Sequence, residues 1–497
     1  MASQFALPRA AVALLLALVA EPVQSQVYKL EQDPVPAAYS LSMQYLFYVY
    51  SQEDSPKSSS AVHPSVEFRQ LEAHKTPEGT LPSRYSSLEV SIMPFDKFWG
   101  LVNKDKFCAS NEDVARNLAA QCCQLMLATP AYQTLADLGV RTQRVPLGTE
   151  AETVAFPITS TGRYALVVSN CGNHSGATFT GSVAVRNSHG YLPAYALNAM
   201  RVAGWLAVLS TAILVVWTSA VVRRFQSLFY IQKGILAISL LCVLEAFSTW
   251  LTYQDWNATG HRRDSLFFAS LLFYALKYVL SWRLLLLAAV GSRTVMEDLD
   301  WKTSVLSQVA SAAFVLQAVA WKLIVSYRFS HALDSTFLLL ATFPGVAVYT
   351  GMFLWTFLHF SGAAERVKER RWEELSGALE KVRWILVAGF LLSCFNATLQ
   401  IFDIGGDLFP WGLAWVPVEG APQVSFVGAL VAMMVVWWPT EDNWHHGYEA
   451  KADEAEVEGL GSRVWMEEEK DDAARPGSRE LARPGAVAPE AIGAPEE

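Results

Sequence analysis

The sequence predicts a membrane protein in three parts: a lumenal β-sandwich domain, a seven-helix transmembrane bundle and a disordered acidic tail. Three observations carry that fold class. Apolar residues make up 52% of the 497 and charged residues 17%, and the apolar excess sits in residues 200–440 as repeated long runs. Residues 26–190 carry short β-branched and aromatic segments, partly alternating, bounded by Gly, Ser, Asn and Pro. Residues 441–497 hold 16 acidic and 6 basic residues, a net of −10 beside −9 for the whole chain, so the acidity belongs to the tail. The rest is near neutral and offers no basic domain for nucleic acid.

The opening stretch, residues 1–25, reads as a secretory signal peptide. Arg9 supplies its positive end, Ala10–Ala20 a short apolar core, and Val23-Gln24-Ser25 a small-residue cleavage site. The apolar core is too short to span a bilayer. Residue 26 onward is then expected in the secretory lumen, where disulfides form.

The lumenal domain, 26–190, shows strands at 39–51, 86–95, 152–158, 162–171 and 177–187, whose spacing predicts a β-sandwich. Residues 111–138 read as a helix, and the Ser- and Pro-rich stretch 52–84 as a loop. Cys108, Cys122, Cys123 and Cys171 precede the membrane segments and are expected to form one or two disulfides, with Cys122 and Cys123 going to different partners. No CxxC spacing or nearby His points to a metal site. The last strand runs into a turn at Gly190 and Pro193 and then, within about ten residues, into the first span. So short a connection predicts a domain seated on the bundle.

Seven apolar segments follow, near 202–222, 230–253, 265–289, 304–326, 335–360, 384–403 and 422–438. Most are long enough to cross about 30 Å of hydrocarbon. Alternate loops carry 11 basic residues, from Arg223 and Arg224 to Lys381 and Arg383, against Arg262, Arg263 and Arg328 on the other side. The positive-inside rule places the first set in the cytosol. The N-terminus is then lumenal and the tail, 441–497, cytosolic, in agreement with the signal peptide. Asn173 and Asn257 head sequons on the lumenal side and are candidate glycan acceptors, whereas Asn396 lies within the sixth span.

"GRYALVVSNC", "GSVAVRNSHGYLPAY" and seven spans ending in "VVWWPTEDN" resemble the GOST family of Golgi-localised seven-transmembrane proteins with a lumenal Golgi-dynamics (GOLD) domain. Asn170-Cys171, the Asn187–Leu192 junction, Ile231-Gln232 and Glu245 match the family pattern; Trp438 and Thr440 depart from its closing motif, and "GSRTVMEDLDW" departs after the third span. The resemblance implies a GOLD-like lumenal domain and a role in Golgi and endosomal membrane trafficking.

Three spans carry polar stripes, each on one helix face. The second has Cys242, Glu245, Thr249 and Thr252; the third Ser270, Tyr274, Lys277 and Ser281; the sixth Ser393, Asn396, Gln400 and Asp403. Ionisable groups in lipid cost about 2.5–3.5 kcal/mol on insertion scales, so these faces should turn inward. At about 1.5 Å per residue, Glu245 lies about 12 Å and Lys277 about 18 Å below the lumenal ends of their spans, within bridging reach of a lysine. The expectation is a lumen-facing polar cavity holding a phospholipid head group, a peptide segment or ions; the competing reading is an ion pair that only binds helices together. Arg283 and Lys322 are expected to snorkel.

The tail cluster "WMEEEKDDAARPG" is a candidate contact for coat adaptors, on an otherwise disordered segment. No nucleophile elbow, P-loop, dinucleotide fingerprint or zinc motif is present, so no enzyme activity is expected. Two other classes stay open. One is a cation channel or channel regulator using Glu245, Lys277 and Asp403. The other is a receptor of the G-protein-coupled type, although neither an Asp-Arg-Tyr triplet nor an Asn-Pro-x-x-Tyr motif occurs.

Overall fold

The computed structural model describes residues 27–36, 40–51, 53–54, 63–75, 88–96, 139–145, 153–170, 176–223, 230–290, 301–330, 335–369, 373–402 and 415–439, with residues 228, 409 and 413. The signal peptide, the expected helix over 111–138, Cys108, Cys122, Cys123, Cys171, Asn173, Asp403 and the tail lie outside those residues.

The N-terminal domain is a β-sandwich of two four-stranded antiparallel sheets. Its strands are β1 (Val27–Pro34), β2 (Ser40–Val49), β3 (Ser65–Lys75), β4 (Leu88–Pro94), β5 (Arg141–Val145), β6 (Val154–Pro157), β7 (Gly162–Asn170) and β8 (Ala177–Arg186). One sheet runs β1-β8-β3-β6 and the other β2-β7-β4-β5. Alternation sends Val66, Phe68, Leu166, Val168, Val183 and Val185 into the space between them, where each is essentially buried. A second cluster of Leu46, Met93, Ala165 and Val167 covers the opposite face of the β2-β7-β4-β5 sheet. β4 is accordingly buried at every position.

The loop expected over 52–84 is corrected: β3 lies inside it and pairs with both β8 and β6. Its alternation is interrupted by a bulge between Arg69 and Glu72, where Gln70 takes a positive φ of 52°. Gly181 on β8 makes the bulge possible, because a Cβ there would stand 2.6 Å from the Gln70 carbonyl oxygen.

Seven helices, each long and apolar enough to cross a membrane, follow. They are α1 (Ala194–Val222), α2 (Tyr230–Thr259), α3 (Asp264–Val290), α4 (Trp301–Ser330), α5 (Ser335–Glu369), α6 (Glu373–Phe402) and α7 (Ala421–Val436), the last reaching spanning length together with the helical turn before it, Val416–Gly420. Their exposed faces carry Trp205, Val215, Leu240, Leu358 and Val435, the outward apolar surface a bilayer requires. The seventh span starts earlier than its apolar run predicts, because a π-helical turn, Val416–Gly420, leads into α7. At the end away from the β-domain, Trp217 Nε1 donates to the Gln232 carbonyl (3.3 Å) and Gln232 Nε2 to the Trp437 carbonyl (3.2 Å), tying α1, α2 and the end of α7 together. Around that clasp Ile235, Leu284, Phe360 and Met434 fill the bundle core.

The β-domain is seated on the bundle through the turn between β8 and α1. Asn187 and Gly190 exchange backbone hydrogen bonds of 2.8 and 3.2 Å. The Asn187 side chain accepts from Tyr50 N (3.0 Å) and donates to the Leu192 carbonyl (2.9 Å). Asn257, in the last turn of α2, clasps the whole turn: its Nδ2 donates to the His189 carbonyl (2.8 Å), its Oδ1 accepts from Leu192 N (3.1 Å) and its carbonyl accepts from Tyr191 N (3.0 Å). Asn257, expected as a glycan acceptor, engages its side-chain amide in this clasp. An apolar cluster of Tyr48, Leu192, Tyr195, Trp256 and Val418 packs around the seam.

Candidate binding cavity

The polar stripes of α2 and α3 meet as their helical spacing requires. Glu245 and Lys277, 4% and 1% exposed, form a buried ion pair through Lys277 Nζ and Glu245 Oε2. A third member comes from α7. Gln423 accepts from Lys277 Nζ through Oε1 (2.8 Å) and donates through Nε2 to Glu245 Oε1. Both oxygens of the carboxylate are thus partnered, the condition under which a buried ion pair offsets its desolvation. Aromatic faces complete the surroundings of the ammonium, with Phe426 at 4.4 Å and Tyr278 at 5.0 Å from its nitrogen.

The triad borders a cavity of about 110 Å³. Cys242, Glu245, Thr249 and Thr252 line it from α2, and Ser270, Tyr274 and Lys277 from α3. Tyr195 and Trp256, which belong to the seam under the β-domain, also line it, so the cavity extends toward that domain. A second polar group stands there. Tyr253 donates to Glu419 Oε2 at 2.6 Å, and Lys322 Nζ stands 3.8 Å from Glu419 Oε1, beyond hydrogen-bond distance. Arg262 lies with its guanidinium 3.7 Å from the Phe267 ring centroid and is 8% exposed. Outside the membrane segments, burial pushes the His189 imidazole of the junction turn down to about 4.

Three of the expected cavity residues are placed elsewhere. Ser281 donates to the Lys277 carbonyl one turn earlier (2.7 Å), a bond within its own helix, and does not line the space. Asn396 and Gln400 both donate to a single acceptor, the Pro417 carbonyl, at 2.9 and 2.6 Å. They buttress the π-turn that carries Glu419 rather than facing the cavity. Ser393 accepts from Tyr349 at 3.0 Å. Asp403 lies outside the described residues. The expectation that Lys322 snorkels is corrected too: it turns into the cavity and stands over Tyr274, 5.1 Å from the ring centroid.

The sequence reading missed Glu419, Gln423, Tyr253 and Arg262. Only one signal for the first two exists in the chain. Glu419 and Gln423 are four residues apart and flank Pro422, so they share a face if the helix begins before the apolar run does. Among the described residues no group of three or more His, Cys, Asp or Glu has the arrangement of a metal site.

No curated protein matches the chain. The family model described as "GOST, seven transmembrane domain" matches residues 198–444, from the first turns of α1 to just beyond α7. The matched region contains the Glu245–Lys277–Gln423 triad, the π-turn and the Trp217–Gln232–Trp437 clasp. The chain is a multi-pass membrane protein that belongs to the GOST family through this seven-transmembrane domain.

Proposed function

We propose that the protein acts in Golgi and endosomal membrane trafficking, as a binding protein rather than an enzyme. In this reading its GOLD-like β-domain faces the lumen, its tail faces the cytosol for coat adaptors, and its cavity holds the polar end of a phospholipid or a segment of cargo. The observation that carries the reading is the cavity itself. It is bordered at one end by the Glu245–Lys277–Gln423 triad and at the other by the seam with the β-domain. A structural ion pair alone does not call for an adjoining cavity lined by Thr249, Thr252 and Tyr274. A conducting pathway through the bundle is less well supported, because Ile235, Leu284, Phe360 and Met434 fill the core beyond the triad.

The test is lipid analysis of the purified full-length protein beside Thr249→Trp, which puts an indole into the cavity. The expected result is phospholipid co-purifying with the wild type and lost from the variant at unchanged melting temperature. Equal lipid content in the two would overturn cavity binding. The cellular part is tested by imaging the full-length protein against Golgi and endosomal markers; residence at the plasma membrane alone would overturn the trafficking role.

A further inference from the structure

The chain that leads into α7 has two hydrogen-bond registers open to it, and the structure holds the rarer one. Ala421 N–H donates to the Val416 carbonyl, one residue beyond the reach of an α-helical bond. By the same spacing the Pro417 carbonyl would be met by residue 422, which is a proline and has no N–H. That carbonyl is satisfied from outside the helix instead. Asn396 Nδ2 and Gln400 Nε2 on α6 both donate to it, at 2.9 and 2.6 Å. Rewinding the turn to α would bring Ala421 N–H onto the Pro417 carbonyl, displace the two amides and leave the Val418 carbonyl facing Pro422. The α6 amides therefore favour the π register. Gly420 suits it as well, because the Trp415 ring lies across it, where a Cβ would stand 2.7 Å from Cζ3.

The turn also links the β-domain to the triad. Val418, 6% exposed, packs in the seam with Tyr48 of β2 and Leu192 of the junction. Glu419 accepts from Tyr253 on α2. Gln423, four residues further on, bridges Glu245 and Lys277. A change of register turns Val418 and Glu419 relative to Gln423, so the seam contacts and the triad contacts cannot both survive it. We propose that Val416–Gly420 is a two-state joint that couples the seating of the β-domain to the triad, with Asn396 and Gln400 as its latch. A seated β-domain packs on Val418 and keeps the π register, which places Gln423 on the ion pair. Loosening of the seam lets the turn rewind, and Gln423 leaves Glu245 with one oxygen unpartnered. A partner that acts on the β-domain is then felt at the triad end of the cavity, and the reverse holds by linkage. The joint goes beyond the reading of the cavity as a ligand pocket and does not depend on what the cavity holds.

The experiment uses the full-length protein in detergent, with hydrogen exchange read by mass spectrometry. Tyr48→Ala removes a ring from the seam, and Asn396→Leu removes one arm of the latch at similar volume. Each is expected to speed exchange over residues 421–425 about tenfold, while residues 431–436 and β7 exchange as in wild type. A second arm reads the coupling from melting temperatures. Tyr48→Ala and Gln423→Leu lie at opposite ends of the turn, and their combined loss should fall short of the sum by about 2 °C or more. Tyr48→Ala with Gln232→Leu, at the far clasp, should be additive. Unchanged exchange over residues 421–425 in Tyr48→Ala would overturn the joint, as would faster exchange along the whole of α7 or additive losses in the first pair. If Gln423→Leu does not fold, the exchange arm decides the question. Neither arm reads lipid, so a failure here leaves cavity binding standing.

Discussion

Gly190 lies against Asn257 with no room for a side chain: a Cβ on Gly190 would stand 2.5 Å from the Asn257 Oδ1 and 2.6 Å from its carbonyl oxygen. The backbone there has a φ of +130°, which L side chains rarely adopt. Contact and conformation act together at the one turn that joins the two folded parts. Gly190→Ala is therefore expected to destabilise the protein by about 2–4 kcal/mol. Gly389→Ala, on α6 with nothing within 4 Å of the added carbon, should change stability by under about 1 kcal/mol. Thermal unfolding of both variants in detergent measures the contrast, and equal melting temperatures would remove the close approach from the account.

The Asn257 clasp makes a second prediction. Asn257→Ala deletes two side-chain hydrogen bonds to the junction turn and should cost about 1–3 kcal/mol. Proteolysis of the β-domain should speed up in the variant as the turn loosens. Melting temperature and proteolysis rate unchanged in the variant would contradict the clasp.

The buried pair makes a third. Glu245→Gln or Lys277→Met alone leaves an uncompensated charge in the bundle, at a cost of about 3–5 kcal/mol. The double variant should lose less than the sum of the two. A double-mutant cycle on thermal stability reads the coupling directly. Additive losses would mean that the two groups do not act as a pair.

The fourth concerns pH. His189 is held neutral in the folded state, with its pKa down at about 4 from an ordinary 6.5. The unfolded chain binds the proton more readily, so the contribution of His189 is fully present above pH 6.5 and is lost as pH falls toward 4. By pH 5 the loss amounts to about 2 kcal/mol. Arg201 opposes protonation from α1, and Nε2 is engaged with the Leu192 carbonyl (3.0 Å). Melting temperatures of wild type and His189→Gln between pH 7 and pH 4.5 should converge on acidification. Parallel curves would rule His189 out as the titrating group.

Much of the architecture was legible in the chain because each element advertises itself by a period. Five of the eight strands alternate openly, and the spans are long apolar runs. β3 was hidden because the bulge at Gln70 breaks its alternation and Ser- and Pro-rich sequence surrounds it. The stripes of α2 and α3 led directly to Glu245 and Lys277, since spacing settles which residues share a face. The stripe of α6 misled, because a face does not name its neighbour: Asn396 and Gln400 turn toward Pro417. Gln423 and Glu419 were invisible for a different reason. Apolarity places the start of the seventh span at Pro422, while the helix begins with a π-turn at Val416 that no local preference announces.

The triad has a consequence for how the molecule is made. Synthesis proceeds from α1 toward α7, so Glu245 and Lys277 are in place long before Gln423 leaves the ribosome. Until it arrives, one carboxylate oxygen of Glu245 lacks the donor that completes it in the finished bundle. A chain ended after Gly420 is left with that vacancy and without the last strap across α1, α2 and α6. Such a chain should be cleared faster in pulse-chase labelling than one ended after Pro439, and equal half-lives would argue against it. The seventh helix thereby completes the triad and the bundle core in one step, and an interrupted copy lacks both.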